Sequence, residues 1–371
     1  MGGVSRPTPV LPGYGNGSLP DIVPALLGPR QGGLPRWMPG SVDGARAVVL
    51  LLLDGLGWNQ LRDRGSLAPV MSSMEGGPIT SVVPTTTATA LTSVTTGLVP
   101  GEHGIIGYRM DMGGAVMNTL HWAGSHGDMS GTHPPLQVQS CPPFLGASVP
   151  VISRQELEGT SFTAAHLTGT KPMGWRVASS IPVTAAAAVE SGAPFVYAYY
   201  DGVDKIAHER GFGPYYDNEL RQADSLVANM LECLPRDTVL LVTADHGQVQ
   251  VGDATIRLDD EVSPLVRHQS GEGRFRWLHA RTGREGALLE VCHMYDDIAW
   301  VVSRQQVLDE KWFGPRTTQA AERRMGDVAL VPHAAVSFED PAEPGNFTLM
   351  CRHGSLTADE MYVPLLAARA G

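Results

Sequence analysis

The chain has 371 residues, of which 43% are hydrophobic and 18% charged, and its formal net charge is −11. That composition supplies a large apolar interior and excludes wholesale disorder. The acidic balance offers no basic field to gather a nucleic-acid polymer or an anionic membrane, which leaves a small ligand as the expected partner.

Residues 1–44 are rich in Gly and Pro and read as an arm laid over a core, with one short apolar piece at 22–27. The segment shows no apolar run of signal-peptide length, and no stretch of about 20 apolar residues follows that would span a bilayer, so a cytoplasmic location is expected. The cysteines, Cys141, Cys233, Cys292 and Cys351, are scattered without metal or disulfide spacing, and reduced thiols are expected. Next comes ARAVVLLLLDGLG, a continuous apolar run at 47–53 that stops at Asp54 and Gly55. This is the pattern of a strand buried on both faces of a parallel sheet, with an acid at its carboxyl end.

In SVVPTTTATALTSVTTGL an apolar strand gives way to Thr85, Thr86, Thr87 and Thr89 at a predicted helix start. Hydroxyls there usually cap the helix, yet the free N–H groups of a helix N-terminus also attract an anion, so one hydroxyl can cap and react. The run at 195–200 ends at Asp201, and Asp204 and His208, four residues apart, share one face if the following segment is helical. Asp201 competes with Asp204 because it lies nearer the strand end. A helix is predicted over 217–234 from Leu220, Leu226, Met230 and Leu234. The strand at 239–243 precedes Asp245 and His246, whose side chains can meet only where the backbone turns, as Gly247 permits.

Residues 255–325 differ in texture, with many charges and short strand-like pieces such as ALLEVC and IAWVVS, and read as an inserted smaller subdomain or cap. From 326 the core pattern resumes, and near its end His353 stands between an apolar piece and Gly354. The expectation is an α/β core over 45–254 and 326–371, with a mostly parallel central sheet flanked by helices. Ligands of open α/β sheets bind beyond the carboxyl ends of the strands, so acids far apart in sequence can converge there. Singly, each of these residues has an ordinary structural role open to it as a cap, a surface pair or a satisfied histidine.

As an ordered set they resemble the alkaline phosphatase superfamily, and within it the nucleotide pyrophosphatase/phosphodiesterase (type I phosphodiesterase) branch. The matching motifs are strand-Asp-Gly at Asp54, the threonine segment with Thr87, Gly97 and His103, D-x-x-x-H at Asp204 and His208, D-H-G at Asp245 and His246, and a late H-G at His353. The resemblance implies a phosphoester hydrolase with Thr87 as nucleophile and two divalent metal ions. One ion would sit on Asp204, His208 and His353, the other on Asp54, Asp245, His246 and the Thr87 oxygen; His103 keeps a structural role. The mixed nitrogen and oxygen donors suit zinc, with manganese or iron tolerated. The substrate would be a small phosphorylated molecule, a nucleotide among the candidates.

One position departs from the pattern. Phosphodiesterases of this type carry an Asn three residues after the nucleophile, where this chain has Ala90. Thr89, Lys205 and Arg109 are candidates for the missing donor, and a phosphomonoesterase or a phosphonate hydrolase on the same site is the alternative within enzymes. From another class, a non-catalytic metal-binding protein stands against them, with a phosphotransferase or mutase as a further alternative. Trp122, Tyr199, Tyr200 and Trp277 are offered either to a base or to the core.

Overall fold

The computed structural model describes residues 7–29, 32–343 and 349–371; parts of the expected arm (1–6 and 30–31) and of the tail (344–348) lie outside them. In chain order the strands of the two principal sheets are β1 (Ala47–Leu53), β2 (Glu75–Thr80), β3 (Pro150–Ile152), β4 (Lys171–Pro172), β5 (Phe195–Tyr200), β6 (Thr238–Thr243), β7 (Val266–Glu272), β8 (Phe275–Ala280), β9 (Ala299–Ser303), β10 (Val328–Pro332) and β11 (Tyr362–Arg369). The helices named below are α1 (Leu19–Leu27), α2 (Thr87–Thr96), α3 (Gly202–Arg210), α4 (Pro214–Cys233) and α5 (Glu285–Cys292). No helix among the described residues is long and apolar enough to cross a membrane.

The central sheet runs β2-β11-β6-β1-β5-β3-β4. β1 lies in the middle, parallel to β6 on one side and β5 on the other, and every one of its residues is buried. That is why its sequence is an unbroken apolar run rather than an alternating one. β11 returns antiparallel to β6, and β2 pairs antiparallel with β11 at the edge. The sheet is therefore mostly parallel, as expected. α4 packs into the main core with Leu220, Leu226 and Met230 of the predicted helical stripe buried, and Leu234, also buried, follows directly after the helix end. The apolar piece of the N-terminal segment forms α1, whose Leu19, Ile22 and Val23 are fully buried in the main core.

A smaller antiparallel sheet, in the order β7-β8-β10-β9, has its own cluster of buried apolar side chains, including Leu278, Leu288, Ala299, Val328 and Leu330. Two expectations change here. The core was to resume at 326, but β10 pairs with β8 and β9, and Ser337–Phe338 pairs with Thr255–Ile256, so the chain returns to the main sheet only at β11. An apolar run such as VALVP shows that a strand is buried, not which sheet buries it. The strand-like ALLEVC is part of α5 instead, because Leu288 and Cys292, four apart, turn one buried face toward the smaller sheet.

Candidate active site

Strand register assembles the acids. Leu53 lies opposite Tyr200, and Leu52 opposite Thr243. One step beyond Leu53 therefore brings Asp54 level with both Asp201 and Asp245 at the carboxyl edge of the sheet. Gly55, at φ 75°, turns the chain away so tightly that a Cβ there would lie 2.9 Å from the Asp204 Cα. Its N–H donates to Asp245 Oδ1 at 3.0 Å, and so does the His246 N–H at 3.0 Å.

α3 begins directly after β5, and its pitch sets Asp204 Oδ1 3.3 Å from His208 Nε2. The competing Asp201 is used elsewhere, accepting from Arg154 Nε at 2.8 Å and pairing with Lys205 Nζ at 2.6 Å. The tail adds His353, whose ring stacks on His246 with centroids 3.6 Å apart and whose Nε2 is 4.0 Å from Asp204 Oδ1. Thr87 is the first residue of α2, and its Oγ1 lies 3.2 Å from His246 Nε2. The neighbouring threonines are engaged otherwise: Thr85 Oγ1 donates to the Ser355 carbonyl at 2.8 Å, Thr86 stands at the N-cap position of the helix and hydrogen-bonds Glu272 in the cavity lining, and Thr89 is fully buried. Thus Asp54, Thr87, Asp204, His208, Asp245, His246 and His353 converge at one place, as the ordered motifs suggested. His103 lies inside the core against Ser93 Oγ at 2.8 Å.

The donor set fits divalent cations on direct observations. Nδ1 of His208, His246 and His353 faces the carbonyls of Cys351, Gly247 and Thr85 at 2.7, 3.0 and 2.8 Å. A carbonyl only accepts, so each Nδ1 carries the proton and each Nε2 turns a lone pair toward the carboxylates. A dication between Nε2 and the carboxylate oxygens would satisfy both. Among the described residues Asp54 Oδ1 and Asp245 Oδ2 are also buried with no hydrogen-bond partner, which an inward-facing ligand atom explains. Ligand atoms of Asp54, Asp245 and His246 lie within 4.8 Å of one another, as do those of Asp204, His246 and His353. Burial, reinforced by Asp245 and Asp204, pushes the Asp54 carboxyl well above its ordinary range, and burial with His246 and His208 nearby pushes His353 well below its own. Bound dications would reverse both tendencies.

The site opens into a cavity of about 620 Å³ lined by Thr87, Asp204, His208 and His353 from the core and by Glu272, Arg276 and Arg352 among others. None of the three candidate donors for the phosphate lines it: Thr89 is enclosed, Lys205 pairs with Asp201, and Arg109 pairs with Asp340 at 2.6 Å. Arg276 was missed because it sits in a segment with no motif. Its Nη2 reaches the Phe338 carbonyl at 3.0 Å and Glu343 at 3.1 Å, while its Nε and Nη1 are buried without a hydrogen bond among the described residues. Glu272, hydrogen-bonded to Thr86, is pushed well above the ordinary carboxyl range by burial. The aromatic candidates resolve toward structure. Tyr199 Oη donates to Asp54 Oδ2, Tyr200 donates to Glu219, and Trp122 and Trp277 are buried.

Acids and imidazoles gathered at the carboxyl edge of a mostly parallel sheet, with a threonine at a helix start among them, define a phosphoester-hydrolysing enzyme of the alkaline phosphatase superfamily. The family model described as type I phosphodiesterase/nucleotide pyrophosphatase matches residues 48–356, and the chain belongs to that family. Among solved structures, murine ectonucleotide pyrophosphatase/phosphodiesterase 5 is similar at 13% identity and TM-score 0.61, over 86% of this chain and 87% of that one. An inactive threonine-to-alanine variant of the murine protein is described in complex with AMP. The human counterpart aligns at 15% identity and TM-score 0.62 with the same coverage. Phosphonoacetate hydrolase from Sinorhizobium meliloti, described in complex with phosphonoformate, aligns at 16% identity and TM-score 0.62 over 88% of this chain and 90% of that one. No curated protein sequence matches the chain.

Proposed function

We propose that the chain hydrolyses small phosphodiesters or nucleotide pyrophosphates through a phospho-threonine at Thr87, with zinc as the first choice for its two metal ions. The observation that carries this is the placement of Thr87 Oγ1 3.2 Å from His246 Nε2, at the meeting point of the two ligand clusters. When bound, divalent ions at these clusters lower the pKa of a hydroxyl and stabilise a departing oxygen. The chain supplies position. The Thr87 hydroxyl stands at the N-terminus of α2, where unpaired backbone N–H groups favour an anionic phosphate. Its oxygen, giving up its proton, attacks phosphorus as the bond to the leaving alcohol or phosphate breaks and that group takes up a proton; water then cleaves the phospho-threonine ester, releasing a phosphomonoester that keeps the remaining substituent and restoring the hydroxyl. Two in-line displacements give net retention at phosphorus. A site serving only to hold metal has no use for an aimed hydroxyl beside an open cavity.

A second reading on the same site is monoester or phosphonate hydrolysis. It is favoured by Ala90, which removes a donor worth about 3 kcal/mol in comparable sites, and by Arg276, a guanidinium in the cavity wall beside Asp340 and Glu343 whose Nε makes no hydrogen bond among the described residues, which suits a further anionic group. Turnover of bis-p-nitrophenyl phosphate and p-nitrophenyl phosphate by the zinc-loaded chain separates the readings. A faster diester supports the first, a faster monoester the second, and hydrolysis of neither, with zinc or with manganese, defeats both. Product analysis in the presence of an alcohol acceptor would reveal a transferase.

A further inference from the structure

Another set of metal-ligand groups lies outside the cavity. Asp111 ends the first strand (Arg109–Asp111) of a small four-stranded sheet, while His268 on β7 and His279 on β8 are direct partners across the smaller sheet. The two imidazoles stack with centroids 4.0 Å apart and 15° between planes, much as His246 and His353 do in the active site. Both turn a nitrogen toward one oxygen: Asp111 Oδ2 is 3.6 Å from His268 Nε2 and 3.7 Å from His279 Nδ1. These separations are too long for hydrogen bonds. They are close to the spacing of ligand atoms around a tetrahedral ion, about 3.3 Å for bonds of about 2.0 Å. All three ligand atoms lie within 4.8 Å of one another, and His268 Nε2 is buried with no hydrogen-bond partner among the described residues.

The outer contacts hold the three groups in this pose. The Gly114 N–H donates to Asp111 Oδ1 at 2.6 Å, and the far nitrogen of His279 meets Ser270 Oγ at 2.8 Å, fixing the ring by the atom that does not face the carboxylate. Asp111 and His279 are almost enclosed, whereas His268 keeps 20% of its side-chain surface. Burial, with His268 beside it, pushes His279 down to about 3. Arg267 and Arg304 act in the same direction and Asp111 against it, with Arg304 paired to Asp327 at 2.9 Å.

We propose that Asp111, His268 and His279 form a third cation site, separate from the catalytic clusters, for a first-row divalent ion such as zinc. It ties the small sheet to the smaller antiparallel sheet, at the point where Arg109, two residues away, reaches Asp340 on the cavity wall. The test uses zinc itself. Parent and His268→Ala chains are loaded with zinc and desalted, and the metal per chain is measured by elemental analysis. The variant loses one equivalent relative to the parent, a difference that does not depend on how many ions the catalytic clusters hold. Asp111→Asn keeps the shape and the Gly114 contact, loses the same equivalent, and serves if the histidine variant does not fold. Equal zinc in the parent and the folded variant overturns the site, whatever the outcome for Thr87.

Discussion

Asp54 owes its position to Tyr199, which donates to its outer oxygen from within β5 and leaves the inner oxygen free to face a cation. Removing an outer-shell partner of this kind weakens metal binding about 10-fold or more. Tyr199→Phe is therefore expected to fold normally and to lose zinc to a competing chelator at roughly one tenth of the chelator concentration the parent needs; equal retention would contradict this role. Asp54, Asp245, His246 and His353 were legible because each stands where a buried apolar run stops or beside a glycine that turns the chain, and Asp204 and His208 because four residues separate them on one helix face. Their supports were not. Tyr199 lies inside such a run and looks like core, and Gln248, which donates to Asp204 Oδ1 at 2.9 Å, is visible only once α3 is folded against the end of β6.

At the level of elements, the helix that carries Thr87 ends on Gly97, in the left-handed region at φ 70°, and a Cβ there would lie 2.7 Å from Pro24 Cγ of α1. A side chain in that conformation costs about 1–2 kcal/mol before any clash. Gly97→Ala is expected to destabilise the protein by at least about that much, measured by urea unfolding, and an unchanged midpoint would show that α1 does not brace this helix. The sequence marks Gly97 as part of a motif but does not say that α1 presses on it. The same gap explains ALLEVC and VALVP. Short apolar runs report burial, while helix or strand, and one sheet or the other, are decided by long-range pairing that local sequence does not carry.

Across the whole molecule, the smaller sheet is joined to the segment bearing His353 by a fully buried ion pair. Arg274, between β7 and β8, donates through Nε and Nη2 to the two oxygens of Glu360 at 2.7 Å each, and Glu360 also accepts the Ser355 N–H at 3.0 Å. Breaking one side of such a pair leaves an uncompensated buried charge and costs about 3–5 kcal/mol. Arg274→Met is expected to lose about that much stability in urea, whereas Arg274→Met combined with Glu360→Gln should recover part of it. No recovery would mean that packing, not charge, joins the two parts.

The central claim is that Thr87 is the nucleophile. Thr87→Ala removes the attacking oxygen and leaves the six Asp and His ligands in place. In steady-state assays with the two nitrophenyl esters, the zinc-loaded variant is expected to lose at least about 10³-fold in kcat while keeping nearly the parent's zinc content. Parent-like turnover in a metal-loaded Thr87→Ala chain would contradict the account.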